Sequence, residues 1–100
     1  MGRKFIILLG LASLLVSGVF AQDTDPAKAF VRATRDYNEG NYGPARDAYR
    51  RLVEEGSDNP AVFLNLGHAN YRLGRDAEAA LNYRRALALD PSNKAARESL

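Results

Sequence analysis

The sequence has 100 residues, of which 46% are hydrophobic and 26% are charged, which is typical of one folded domain and excludes a disordered chain. Cysteine is absent, which excludes disulfides, thiolate metal sites and cysteine nucleophiles. The single histidine, His68, cannot form a histidine-rich zinc site by itself, so we expect neither a metal nor another cofactor.

The net charge of +2 does not indicate a nucleic-acid-binding protein. Arg3 and Lys4 precede Asp23, the first acidic residue, and removing these two from the 14 basic residues leaves 12 against 12 acidic ones. The chain from Gln22 onward is therefore formally neutral. It lacks the basic surface that binds phosphates, and we expect no nucleic acid among its partners.

Residues 1–21 have the layout of a secretory signal peptide. Two basic residues precede an apolar run that ends at Val16, and Val19 and Ala21 are small residues at the positions that signal peptidase recognises. We predict cleavage before Gln22 and a secreted or periplasmic protein, with no membrane span after cleavage. The alternative is an uncleaved N-terminal helix that anchors the protein to the membrane.

After a short N-terminal segment, residues 22–25, the chain repeats itself with a period of 34 residues, so that 26–59 and 60–93 form two copies. Nine residues are identical between the copies: Pro26 and Pro60, Ala27 and Ala61, Tyr37 and Tyr71, Gly40 and Gly74, Ala45 and Ala79, Tyr49 and Tyr83, Arg50 and Arg84, Arg51 and Arg85, and Asn59 and Asn93. Most are small, aromatic, glycine or proline residues, which shape and pack helical hairpins. Self-similarity at this period predicts a helical repeat.

Each copy is predicted to form two antiparallel helices. In the second copy, Asn59 and Pro60 begin the first helix and Gly74 ends it in a left-handed conformation. Asp76 is predicted to cap the second helix, and Asp90, which precedes a proline, ends it.

Residues 94–100 are predicted to begin a third repeat or to form a capping helix. Asn93 can cap a short helix from Lys94 to Leu100, in which Ala95, Ala96 and Leu100 turn inward. A helix this short is held only by packing, so we expect it to be a site of self-association or docking.

Eight residues of the second copy stand at the signature spacings of a known family: Phe63, Leu66, Gly67, Gly74, Ala79, Tyr83, Ala86 and Pro91. On these residues the sequence resembles the tetratricopeptide repeat (TPR) family. Asn70 departs from the pattern, since an aromatic residue is usual there, and in the first copy Arg32 and Asp36 replace buried apolar residues. The resemblance implies an all-α fold of antiparallel helix-hairpin repeats, a TPR-like α-solenoid of about two repeats plus a C-terminal capping helix. It also implies a protein–protein interaction module and not an enzyme.

Within that family, the runs that start at Leu64, Leu81 and Ala95 resemble the tetratricopeptide protein of the bacterial aerotolerance (Bat) operons. Those proteins begin with a secretory signal and work at the cell envelope. This resemblance implies an extracytoplasmic scaffold of a cell-envelope complex.

The family resemblance also implies a concave groove that binds a peptide or a partner helix and is lined by the first helix of each repeat. The candidate partner-binding residues are Phe30, Thr34, Tyr37, Asn38, Leu64, His68, Tyr71 and Arg72. The alternative for Tyr37 and Tyr71 is that they only pack the helix turn. His68 is expected to contact ligand or neighbouring residues, because Asn65 and Arg72 beside it are neither bases nor nucleophiles.

Two further interpretations concern partners. Some family members grip a C-terminal carboxylate with Lys, Asn and Arg, but the residues at those positions here are Phe30, Thr34, Asn65, Ala95 and Ser99, of which only Asn65 fits. That activity is therefore not expected. The alternative to a binding module is a structural segment that self-assembles into a longer solenoid as a homo-oligomer, through its C-terminal helix.

Overall fold

A computed structural model describes residues 25–100, so the predicted signal peptide lies outside the described residues. This part of the chain folds into five α-helices and contains no strand. The helices are α1 (Pro26–Asn38), α2 (Tyr42–Glu54), α3 (Pro60–Arg72), α4 (Asp76–Leu89) and α5 (Lys94–Glu98). Consecutive helices pack against each other as hairpins, which confirms the predicted all-α repeat fold. None of these five helices is both long and apolar enough to span a membrane.

The first helix of each repeat begins at a side-chain cap. The carboxylate of Asp25 accepts a hydrogen bond from the Ala27 amide at 3.0 Å, and Asn59 Oδ1 accepts one from the Ala61 amide at 2.9 Å. A proline occupies the first turn of both helices, where its missing N–H leaves no backbone acceptor unpaired. The predicted start at Asn59 is therefore confirmed.

Helix α4 begins differently from the prediction. Asp76 is its first helical residue, and Arg75 precedes it at the cap position without a side-chain hydrogen bond to the backbone. The prediction that Asp76 caps α4 is thus wrong by one residue. The carboxylates of Asp76 and Glu78 lie in the first turn, where they interact favourably with the positive end of the helix dipole instead.

Equivalent glycines close the hairpins. Gly40 and Gly74 adopt φ values of +83° and +76°, which side chains with a Cβ rarely adopt. Just beyond each glycine the chain turns back onto the preceding helix: the Asn41 amide donates to the Asp36 carbonyl and the Arg75 amide to the Asn70 carbonyl, both at 2.8 Å. The predicted left-handed stop at Gly74 is confirmed, and the first repeat uses the same turn.

Two clusters of buried side chains form the core. The first joins the two repeats and contains Ala33, Ala45, Tyr49, Leu52, Val62 and Leu66. The second contains Phe63, Ala86 and Ala96 and therefore joins α3, α4 and α5. The hairpin of α3 and α4 is closed tightly, because a Cβ placed on Gly67 would lie 2.6 Å from Cε1 of Tyr83.

The C-terminal helix is shorter than predicted. The side-chain oxygen of Asn93 accepts a hydrogen bond from the Ala96 amide at 3.0 Å, as expected of its cap, and Ala96 is fully buried. Ala95 and Leu100 are exposed, however, so the prediction that they turn inward is wrong. The helix ends at Glu98, so Leu100 does not continue its buried face.

Candidate functional site

A continuous cleft runs along the first helices of the hairpins, and we call it the tyrosine cleft. It has two adjoining parts of about 580 Å³ and 150 Å³, which share Tyr37 and His68. Its lining residues are Thr34, Tyr37, Asn38, Tyr49, Asn65, His68, Tyr71, Arg72, Tyr83, Glu98 and Ser99. Four of the five tyrosines of the sequence are among them.

A chain of hydrogen bonds fixes the floor of the cleft in the first repeat. The Thr34 hydroxyl donates to the Phe30 carbonyl at 3.0 Å, so its oxygen is left to accept from the Tyr49 hydroxyl, 2.7 Å away. The Asn65 amide nitrogen in turn donates to the Tyr49 oxygen at 3.4 Å. The hydroxyl of Tyr49, on α2, therefore connects the facing helices α1 and α3.

The second repeat carries the same arrangement one period further along. His68 Nδ1 lies 2.9 Å from the Tyr83 hydroxyl, and the two rings meet edge to face with centroids 5.3 Å apart. Ser99 lines the same part of the cleft as Tyr83 and lowers the pKa of the Tyr83 hydroxyl. Thr34, Tyr49 and Asn65 are each followed at a distance of 34 residues by their counterpart: His68, Tyr83 and Ser99.

Burial sets the protonation of these groups. Removal from water raises the pKa of the Tyr49 and Tyr83 hydroxyls, which therefore stay neutral. Burial also lowers the pKa of His68, and the positive charge of Arg72 lowers it further. The imidazole is accordingly neutral at neutral pH, and the floor of the cleft carries no charge.

Arg72 lies at the rim of the cleft and is held by two tyrosines of the first repeat. Its Nε atom donates to the Tyr37 hydroxyl at 3.3 Å, and its Cζ atom lies 5.6 Å from the centroid of the Tyr42 ring. Tyr37 and Tyr42 also pack edge to face, with centroids 5.2 Å apart. The guanidinium group is therefore held by a hydrogen bond to Tyr37 and by a cation–π contact with Tyr42.

Tyr71 is the counterpart of Tyr37 in the second repeat, but it lacks that support. The residue equivalent to Tyr42 is Asp76, and no aromatic ring within residues 25–100 packs against Tyr71. Tyr71 is 64% exposed, the largest fraction among the exposed large hydrophobic residues of the described part of the chain. It presents an open aromatic surface inside the cleft.

The structure brings together six of the eight candidate residues from the sequence: Thr34, Tyr37, Asn38, His68, Tyr71 and Arg72. The other two lie elsewhere. Phe30 packs edge to face on Tyr49 and borders a separate shallow depression that adjoins the cleft at Thr34 and Asn38. Leu64 is half-buried and packs against the second core cluster, so it does not line the cleft.

Sequence reasoning missed the residues that reach the cleft from the second helices. From the sequence, Tyr83 is a family signature residue and Tyr49 its repeat equivalent; in the structure both rings are buried, and their hydroxyls extend to the floor of the cleft. The signal that could have found them is the period itself, because each tyrosine recurs with a polar partner at the same offset on the preceding helix.

The chemistry of the cleft suits recognition. It combines an open aromatic ring, neutral hydrogen-bonding groups, one guanidinium and the carboxylate of Glu98. In residues 25–100 no three His, Asp or Glu side chains are grouped so that they could hold a metal ion.

The protein consists of paired antiparallel helices that repeat at a fixed interval and line one cleft. This architecture is that of the α-helical repeat proteins that bind other proteins. Residues 30–94 match the tetratricopeptide repeat family, and since this is well over half of the chain, the protein belongs to that family. Tetratricopeptide repeats are typically non-catalytic modules that mediate protein–protein interaction. No curated protein matches the chain.

Proposed function

We propose that this protein binds an extended peptide or a helix of a partner protein in the tyrosine cleft, and that it thereby scaffolds a complex at the cell envelope. The observation that carries the proposal is the exposed ring of Tyr71 inside a polar cleft. A large aromatic residue that is mostly exposed in a concave site is typical of a contact surface that a partner covers.

The rigidity of the cleft supports the same proposal. The floor is held by hydrogen bonds that cross between helices: Tyr49 bonds to both Thr34 and Asn65, and His68 bonds to Tyr83. A surface that is already ordered loses little conformational entropy when a ligand binds. The main entropic cost of binding a flexible peptide is then the ordering of the peptide itself.

The extracytoplasmic location in this proposal depends on the sequence of residues 1–21, and the likeness to the Bat proteins favours the same location. The expected mature N-terminus is Gln22. Mass spectrometry of the protein purified from the envelope or medium tests it, and an intact Met1 on membrane-embedded protein would contradict it.

The binding proposal is tested by quantitative capture from envelope fractions. Three baits are compared: the wild-type protein, Tyr71→Ala in the cleft and Leu81→Ala on α4, where Leu81 is 47% exposed but does not line the cleft. We expect partners that the wild-type and Leu81→Ala baits retain equally and that Tyr71→Ala loses. Equal retention by all three baits would show that the cleft is not the binding surface.

A second candidate function is that of a self-assembling structural segment. It is favoured by the exposed Leu89 and Leu100 near the C-terminal end of the described chain, which are 45% and 57% exposed. A second copy of the chain that covers them would extend the solenoid. Sedimentation equilibrium separates the two candidates: a mass that rises with concentration in wild type but not in Leu100→Asp supports assembly, and a concentration-independent monomer opposes it.

A further inference from the structure

Arg72 is a charged group of the tyrosine cleft that forms no ion pair within residues 25–100. The ion pairs between residues 25–100 include Arg46 with Asp47, Arg50 with Glu54 and Lys94 with Glu98. Arg72 makes no ion pair with any residue in that part of the chain, although it lies in the same cleft as Glu98. That glutamate is paired with Lys94, at 3.7 Å.

The donors of Arg72 are largely free within this described part of the chain. A guanidinium carries five N–H groups, and here only Nε donates, to the Tyr37 hydroxyl. The four N–H groups on the two Nη atoms donate to no acceptor in residues 25–100. Because the Tyr37 hydroxyl and the Tyr42 ring both contact the guanidinium group, its position is partly fixed before a ligand arrives.

The neighbouring polar groups are already engaged with each other. Thr34 and Asn65 hydrogen-bond to Tyr49, and His68 hydrogen-bonds to Tyr83. Arg72 is therefore the charged donor of the cleft that is left for a ligand. Carboxylates and phosphates both match two parallel N–H donors of a guanidinium, and in an unmodified peptide the group that does so is a carboxylate.

Building on the proposed function, we propose that Arg72 binds the carboxylate of an aspartate or glutamate side chain in the partner peptide, and that a neighbouring apolar side chain of the peptide packs on Tyr71. The cleft extends beyond the part that Arg72 lines, because the adjoining part is lined by Thr34 and Asn38 and shares Tyr37 and His68 with it. A peptide can therefore pass Arg72 without ending there, which favours an internal side chain over a chain terminus.

The test uses random ten-residue peptides, acetylated at the N-terminus and amidated at the C-terminus, so that every carboxylate is a side chain. Peptides that bind the wild-type protein are resynthesised with each Asp changed to Asn or each Glu to Gln, and their dissociation constants are measured by fluorescence anisotropy. The same pairs are measured with Arg72→Gln and with Arg84→Gln. Arg84 is an exposed arginine on α4 outside the cleft and serves as the matched control.

We expect at least one carboxylate whose conversion to the amide weakens binding to the wild-type protein about tenfold or more, as a charge-assisted hydrogen-bonded pair predicts. The same conversion should have almost no effect with Arg72→Gln and its full effect with Arg84→Gln, because the two changes remove one shared interaction. Circular dichroism confirms that each variant is folded.

Three outcomes would overturn this inference. Binders that show no preference for a carboxylate, or a preference that Arg72→Gln retains, would remove Arg72 from recognition while leaving the cleft as a peptide site. Peptides with a free C-terminus that bind tenfold more tightly and need no acidic side chain would assign Arg72 to a chain terminus. If no peptide binds, the proposed peptide-binding function itself fails.

Discussion

Replacing Gly67 with alanine tests the close approach of α3 and α4. A Cβ at this position would lie 2.6 Å from Cε1 and 2.7 Å from Cδ1 of Tyr83, whereas carbon atoms in contact normally lie about 3.5–4.0 Å apart. The ring cannot move aside freely, because Tyr83 is buried and its hydroxyl is hydrogen-bonded to His68. One of the two helices must therefore shift.

Three free-energy contributions decide whether Gly67→Ala stabilises or destabilises the protein. Alanine is about 1 kcal/mol more favourable than glycine in a helix interior, so an unconstrained site would be stabilised. Overpacking of a buried contact costs about 1–3 kcal/mol, and weakening the bond between Tyr83 and His68 adds about 1 kcal/mol. We expect Gly67→Ala to lower the free energy of unfolding by a net amount of about 1–3 kcal/mol. In a domain of this size each kcal/mol lowers Tm by about 4–8 °C.

The assay is urea unfolding followed by far-UV circular dichroism. The first repeat supplies the internal control, because Ala33 occupies the position equivalent to Gly67 and is fully buried. Ala33→Gly should also destabilise, by about 1 kcal/mol, so opposite substitutions at equivalent positions both lower stability. In a Tyr83→Leu background the clash is gone, and Gly67→Ala should become neutral or stabilising. An increase in stability from Gly67→Ala in the otherwise wild-type protein would refute the close approach.

Three further predictions follow from the same packing. Burial and the charge of Arg72 lower the pKa of His68 in the folded state, so the unfolded chain binds the proton more readily. The free energy of unfolding of the wild type should therefore fall relative to that of His68→Gln as the pH drops below about 6.5. Parallel plots of unfolding free energy against pH would contradict this. Ala79 is only 2% exposed, so Ala79→Leu should overpack the α3–α4 hairpin and lower the free energy of unfolding by about 1–3 kcal/mol, measured by thermal unfolding. An unchanged Tm would show that Ala79 does not lie between closely packed helices. Deleting residues 94–100 should lower Tm, because it removes the fully buried Ala96 from the second core cluster, and an unchanged Tm would show that this segment is a tail.

The fold was predictable because short local sequence signals determine where its helices begin and end. Asn59 before Pro60 starts a helix, Gly74 allows the left-handed turn, and Asp90 before a proline ends α4. Each signal acts within a few residues and recurs with the repeat. The errors at Asp76 and Leu100 arose where local signals compete: Asp76 suits a cap position or the first turn of a helix, and whether Leu100 is buried depended on how far α5 continues.

The site was harder to predict because its contacts cross several helices. Arg72 is supported by Tyr37 from α1 and Tyr42 from the start of α2, and no local pattern relates these three residues. The family's groove positions located most of the lining side chains from the first helices. They could not show that the hydroxyl of Tyr49 passes through the core to the cleft, because its ring position indicates only burial.

The measurement that tests the binding surface most directly is site-specific photo-crosslinking in intact cells. The photoreactive residue p-benzoylphenylalanine is placed at Tyr71 in the cleft, at Leu81 on α4 or at Leu100 near the C-terminal end. These three positions are 64%, 47% and 57% exposed, so each is accessible to a partner. A cleft-binding module predicts a discrete protein adduct from Tyr71 and none from Leu81 or Leu100. Adducts from Leu81 or Leu100, with none from Tyr71, would contradict it.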